Sequence, residues 1–205
     1  YVVDIYSGAK QKLLDSPGMM VCSDVSEDGN KLLVTMAKHD DQPDVFLYDV
    51  RSGGVKRITT FPGIDVGGYF IDNEQRVAFV SDRLGTPNIF ATSINGGAVE
   101  QLVYHGKNNV SLTAYDHYIA YSSREGENEF GRNTFNLYLI STQSNFIRRL
   151  TAEGVNELPR FSRDGESLLF IKNLRYESAL GIIRLNYNKS FVFPLRDGKI
   201  QSLDW

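Results

Sequence analysis

The 205-residue chain has one cysteine, Cys22, so it forms no intrachain disulfide and no cysteine-based zinc site. That scarcity assigns no compartment, because extracellular and periplasmic proteins also fold without disulfides. Proline is scarce, at six residues, and no segment sustains a 3.6-residue apolar period, which argues against helices of more than a turn or two. No apolar run approaches the ~18–20 residues that cross a bilayer, so no membrane insertion is expected. The net charge of −3 leaves no basic excess for a general nucleic-acid binder. The chain opens at Tyr1 without a basic-then-apolar leader, so any signal peptide is expected to have been removed from it.

What is present favours strands. Hydrophobic residues make up 41% and charged residues 23%, the balance of a folded domain. Tyr, Phe, Val, Ile and Thr are abundant, which suits pleated surfaces.

The chain repeats itself. "DGNKLLVTMAKHDDQPDVFLYDVRSGGVKRI" from Asp28 aligns without a gap on "DNEQRVAFVSDRLGTPNIFATSINGGAVEQL" from Asp72, at an offset of 44. Pro43 falls on Pro87, Val45-Phe46 on Ile89-Phe90, and Gly53 on Gly97. "YIAYSSR" (Tyr118–Arg124), "IRRLT" (Ile147–Thr151) and "FSRDGESLLFI" (Phe161–Ile171) restate parts of the same unit. In the 64–106 unit the strands are expected near Val66–Ile71, Arg76–Ser81, Asn88–Ile94 and Val99–Val103. Asp-Gly at 28–29 and 164–165 fits tight hairpins, as do Gly53-Gly54 and Gly96-Gly97. Four antiparallel strands in about 44 residues describe an all-β fold, a β-propeller of four-stranded blades. Stacking blade on blade buries both faces of each, which accounts for runs such as "VFLYDV" and "LLFI". The expected divisions are a partial blade at 1–19, blades at 20–63, 64–106, 107–154 and 155–198, and a final inner strand at 199–205.

The residues for catalysis do not assemble in the sequence. There is no G-x-S-x-G elbow, and His39, His105 and His117 all fall in expected loops or turns. "HDDQPD" (His39–Asp44) departs from the calcium-loop spacing and reads as a solvated hairpin tip. The acidic insertion "REGENEFGRN" (Arg124–Asn133) reads as a loop. "NGG" and "SGG" lack the strand-loop-helix context of a phosphate cradle. Cys22, beside Val21 on an expected inner strand, reads as buried and inert.

The pattern FS-x-DG-x-x-L-x-F-x-SDR-x-G-x-x-x-I-[FY]…GG…L-T resembles the propeller repeat of the TolB family, periplasmic components of the Tol-Pal cell-envelope system. Ser81–Leu102 is the nearest unit, Phe161–Phe170 supplies the first half, and Arg149-Leu150-Thr151 the close. "KIQSLDW" at 199–205 is similar to the family's last strand. Two units depart from the Asp-Gly turn, with Asp72-Asn73 and Asp116-His117. The resemblance implies the C-terminal part of a six-bladed propeller that follows an α/β domain. It also implies a non-catalytic protein that binds the Pal lipoprotein and other Tol proteins, and colicin-type disordered peptides, in support of outer-membrane integrity and protein import. No cofactor is implied; calcium in the central channel is permitted without being required. Two competing expectations are the gating propeller of a prolyl-oligopeptidase or tricorn-type serine peptidase, and a purely structural propeller.

Loops on a rigid scaffold commonly carry recognition. The segments leading into the innermost strands ring the channel mouth, where the family receives Pal. Carried over by alignment, the expected contacts are Met19, Met20, Asp65, Val66, Asn109, Asn156 and Glu157. Paired methionines suit an adaptable binding surface. Replacing Asp65 and Glu157 with Lys is expected to weaken binding without unfolding the domain.

Overall fold

Strand pairing follows the repeat. The computed structural model describes residues 1–37, 42–127, 133–174, 177–187, 189–195 and 198–205, and no helix is assigned among them. Strands β1 (Val2–Val3) and β2 (Lys10–Gln11) form a two-stranded sheet. Strands β3 (Met19–Val25), β4 (Lys31–Ala37), β5 (Asp44–Asp49) and β6 (Val55–Arg57) form an antiparallel sheet in sequence order. Strands β7 (Asp65–Ile71), β8 (Arg76–Ser81), β9 (Asn88–Ser93) and β10 (Val99–Gln101) repeat it. A third blade comprises β11 (Asn109–Tyr115), β12 (Tyr118–Glu127), β13 (Asn133–Ser141) and β14 (Ile147–Arg149). The fourth comprises β15 (Val155–Phe161), β16 (Ser167–Asn173), β17 (Ser178–Arg184) and β18 (Lys189–Pro194). One parallel bridge, Phe135 to Val155, joins the last two.

Three separate cores lie between successive blades, as stacking requires. Leu33, Val45, Phe70, Val77, Phe79 and Phe90 fill the space between the first two full blades. Tyr69, Ala78, Val80, Ile89, Ile119 and Tyr121 belong to the next. Ala120, Leu137, Leu139, Leu168, Phe170 and Ile183 form the last. The period-two geometry of a strand explains the division. On β8, Val77 and Phe79 face one neighbour while Ala78 and Val80 face the other. A strand buried on both faces reads as an unbroken apolar run.

Each inner strand carries a bulge, between Cys22 and Asp24, Val66 and Tyr69, Val110 and Thr113, and Glu157 and Arg160. In three of them the extra residue has a left-handed backbone: Gly67 (φ 64°), Ser111 (φ 54°) and Leu158 (φ 52°). The bulges bend the strands where they converge. Where Asp-Gly is lost from the hairpin, the chain still turns left-handed, with Asp72, Asn73 and Glu74 at φ 52°, 53° and 61°.

Two expectations need correction. Residues 199–205 form no strand, and 198–205 have no ladder partner among the described residues; a strand exists only by pairing. Cys22 is exposed rather than buried. It lies on β3, whose Met19, Met20, Val21 and Val25 are also exposed.

Candidate functional site

The four inner strands β3, β7, β11 and β15 start at one end of the propeller, together with the loops that leave β8 and β16. This end is the rim. Its predicted contacts separate into two groups.

Asp65, Asn109 and Asn156 are buried, at 0%, 1% and 1% exposure, so the expectation that they present open side chains is corrected. They occupy equivalent positions, and their polar groups tie the rim together. The backbone N–H of Asp65 donates to Pro43 O at 2.9 Å, and that of Asn109 donates to Pro87 O at 2.9 Å. Asn109 Nδ2 donates to Asn88 Oδ1 (3.0 Å) and His105 O (2.8 Å). Asn156 Nδ2 donates to Glu153 O (2.8 Å), Phe135 O (3.1 Å) and Asn136 Oδ1 (3.2 Å). Asp65 accepts from Arg83 Nη2 at 3.1 Å on each carboxylate oxygen. The Arg83 guanidinium also donates to Ser81 Oγ at 2.9 Å and lies 5.0–5.3 Å from the rings of Phe61, Phe79 and Phe90. Recurrence at one repeat position was itself the signal of a scaffold role.

Met19 and Met20 are exposed, at 46% and 38%. Val66 is half-buried against the second core. Glu157 is half-buried, and its Oε2 accepts from Asn173 Nδ2 at 2.8 Å. Exposed Ile64, Leu84 and Tyr104 stand at the same end. Exposed Lys107 and Glu153 stand there with them, so the accessible rim mixes apolar and charged side chains.

The "RIT" and "RLT" closures are clasps. Thr59 Oγ1 donates to Asp44 Oδ1 (2.9 Å) and accepts from the Val45 N–H (3.0 Å). Thr151 does the same with Asn136 Oδ1 and the Leu137 N–H, both at 2.9 Å. Asp44 also pairs with Arg57 and is buried, so this end of "HDDQPD" is no solvated tip; His39, Asp40 and Asp41 lie outside the described residues. The acidic insertion is not simply a loop: Arg124–Glu127 extend β12 and Asn133 opens β13, while 128–132 lie outside the described residues.

Further along the inner strands lies a group that no motif announced. Asp24 accepts from the N–H groups of Val25 (2.9 Å) and Phe70 (2.8 Å), linking two blades. Burial pushes its carboxyl up to about 6, with Glu74 adding to the rise and Arg160 opposing it. The Arg160 guanidinium lies 5.7 Å from the centre of the Tyr69 ring, and Trp205 Nε1 donates to Arg160 O at 3.0 Å. Among the described residues, no three His, Cys, Asp or Glu side chains are grouped to hold a metal. His117 Nδ1 lies 2.6 Å from Asp116 Oδ2 at a hairpin, and Tyr121 OH meets His105 Nε2; among the described residues neither imidazole has a serine partner.

The whole of 1–205 matches the TolB beta propeller domain. The chain belongs to the TolB β-propeller family. It is 58% identical over 203 residues to the Tol-Pal system protein TolB of Wolinella succinogenes, covering 98% of this chain and 48% of that protein. The crystal structure of TolB from Acinetobacter baumannii superimposes with a TM-score of 0.81 at 22% identity, over 96% of this chain and 48% of that one. A puromycin-hydrolysing peptidase of Mycobacterium tuberculosis shares the fold at TM-score 0.70 and 13% identity, over 91% of this chain and 30% of that one. The chain thus spans about half the length of the TolB relatives it matches. Within the TolB family, its rim is built from buried polar ties and an exposed edge of apolar and charged side chains.

Proposed function

We propose that this propeller is a non-catalytic, periplasmic protein-binding module of the Tol-Pal system that receives the Pal lipoprotein on its rim. The observation that carries the reading is its 58% identity, over nearly the whole chain, to a protein named for that system. The exposed Met19 and Met20 support it, because thioether side chains adapt to a partner's surface. The peptidase-gating alternative has only a shared fold behind it, and a fold does not carry a function. The same rim is where colicin-type disordered peptides would compete. Calorimetric titration of the full-length protein with the soluble domain of Pal tests the proposal. A Kd of micromolar or tighter is expected; no binding at about 100 μM overturns it.

A further inference from the structure

The loop from Val103 to Asn108 leads into β11 at the rim, and its underside is held by one imidazole. His105 Nε2 is 2.5 Å from the hydroxyl of Tyr121, whose side chain is fully buried on β12. The His105 ring packs against Tyr138 of β13, with centroids 4.7 Å apart, and against Tyr121 at 5.9 Å. The surrounding groups leave Tyr121 no substitute. Tyr138 OH donates to Glu125 Oε1, while Glu125 Oε2 accepts from Arg149 Nη2 (2.5 Å) and Asn136 Nδ2 (2.8 Å). Among the described residues, Glu125 with its partner Arg149, and Tyr121 and Tyr138, are the titratable and charged groups around His105.

Gly106 presses the loop down. Its backbone is left-handed (φ 77°), and a Cβ there would sit 2.3 Å from Ser123 Oγ and 2.8 Å from Asn109 Oδ1. Those two oxygens are buried without a hydrogen-bond partner among the described residues. Opening the loop would hydrate both, which offsets part of what closing contributes. The loop is also tied by Asn109 Nδ2 on His105 O (2.8 Å) and by the Arg124 N–H on Asn108 O (2.9 Å), so the Tyr121 contact is the one of these ties that a proton on the imidazole can alter.

We propose that His105 is a proton-sensitive latch: as a neutral acceptor for Tyr121 it holds the 104–108 loop closed, and protonation releases the loop and reshapes the rim. This deepens the rim-binding reading by giving it a regulation, and rests on that reading for its consequence, though not for its mechanism. An imidazolium has no lone pair: its Nε2–H reaches the Tyr121 oxygen only if that hydroxyl turns its own proton away, which leaves the buried O–H without an acceptor. Burial holds the imidazole below its usual 6.5, with Glu125 opposing. Burial also holds the Tyr121 phenol well above its ordinary value, so ionised tyrosine does not take up the charge. The closed loop is therefore fully favoured above about pH 6.5 and loses ground as pH falls. Each pH unit by which the closed-loop pKa lies below the open-loop pKa shifts the balance about tenfold.

The test follows His105 by nitrogen-detected NMR and the 104–108 amides by hydrogen exchange, in the full-length protein, from pH 8 to 4.5. His105 should titrate below 6.5, and protection of the loop, corrected for intrinsic exchange, should fall in step. In His105→Gln, whose amide oxygen still accepts from Tyr121, protection should persist at low pH. In Gly106→Ala, the loop should be open throughout. A His105 pKa at or above 6.5 with unchanged loop protection overturns the latch, as does a His105→Gln loop that keeps the wild-type pH response. None of these readouts needs a partner, so failure to bind Pal leaves the latch standing. Once binding is established, Pal affinity should change over the same pH window in wild type and not in His105→Gln.

Discussion

Arg83 Nη2 donates to both carboxylate oxygens of Asp65, and both side chains are withdrawn from solvent, Asp65 completely and Arg83 to 16% exposure. The pair stands between β7 and β8, under three phenylalanine rings. Removing one partner leaves the other charge buried, which costs about 3–5 kcal/mol. Arg83→Met and Asp65→Lys should therefore lower the denaturant midpoint steeply. Equilibrium unfolding in urea measures this; a change below about 1 kcal/mol would make the pair a surface bridge in all but position. The expectation that Asp65→Lys leaves the domain folded is thereby reversed, while Glu157→Lys, half-buried, keeps it.

Ser111 occupies the left-handed bulge position that Gly67 fills in the preceding blade, at φ 54° against 64°. A side chain there costs roughly 1–2 kcal/mol of backbone strain. Ser111→Gly should recover about 1 kcal/mol, seen as a higher urea midpoint at unchanged slope. A lower midpoint would show that the Ser111 side chain contributes more than its backbone strain costs.

Asp24 titrates from 3.8 unfolded to about 6 folded. The folded state holds the proton more tightly, so this group's contribution is full below about pH 4 and is lost as pH rises through 6. Asp24→Asn keeps an acceptor for the Phe70 N–H and removes the charge. It should stabilise the protein by about 1–2 kcal/mol at pH 8, discounted for partial solvation, and by little at pH 4. Thermal melts at the two pH values decide; equal effects at both would mean that Asp24 is not perturbed.

The repeat made the architecture legible. In the 64–106 unit the expected strands meet β7 to β10 within two residues at each end, because turn glycines and apolar pairs recur at fixed spacing. The site was less legible. Asp65, Asn109 and Asn156 read as partner contacts because polarity alone does not distinguish an exposed contact from a buried tie. His105 and Tyr121 are 16 residues apart and meet only because the loop into β11 folds back over β12. Arg160 and Tyr69 likewise meet from equivalent positions on inner strands two blades apart. Cys22 was misjudged because inner-strand position does not reveal whether the neighbouring face is covered.

The proposed contact surface is the rim around Met19 and Met20. The most direct measurement is the affinity of the full-length Met19→Ser/Met20→Ser double variant for the soluble domain of Pal, beside wild type. Kd should rise at least about tenfold, equivalent to 1.4 kcal/mol, with a thermal melt of the variant run alongside to separate lost contact from lost fold. An unchanged Kd, with wild type binding normally, would contradict the assignment of this face.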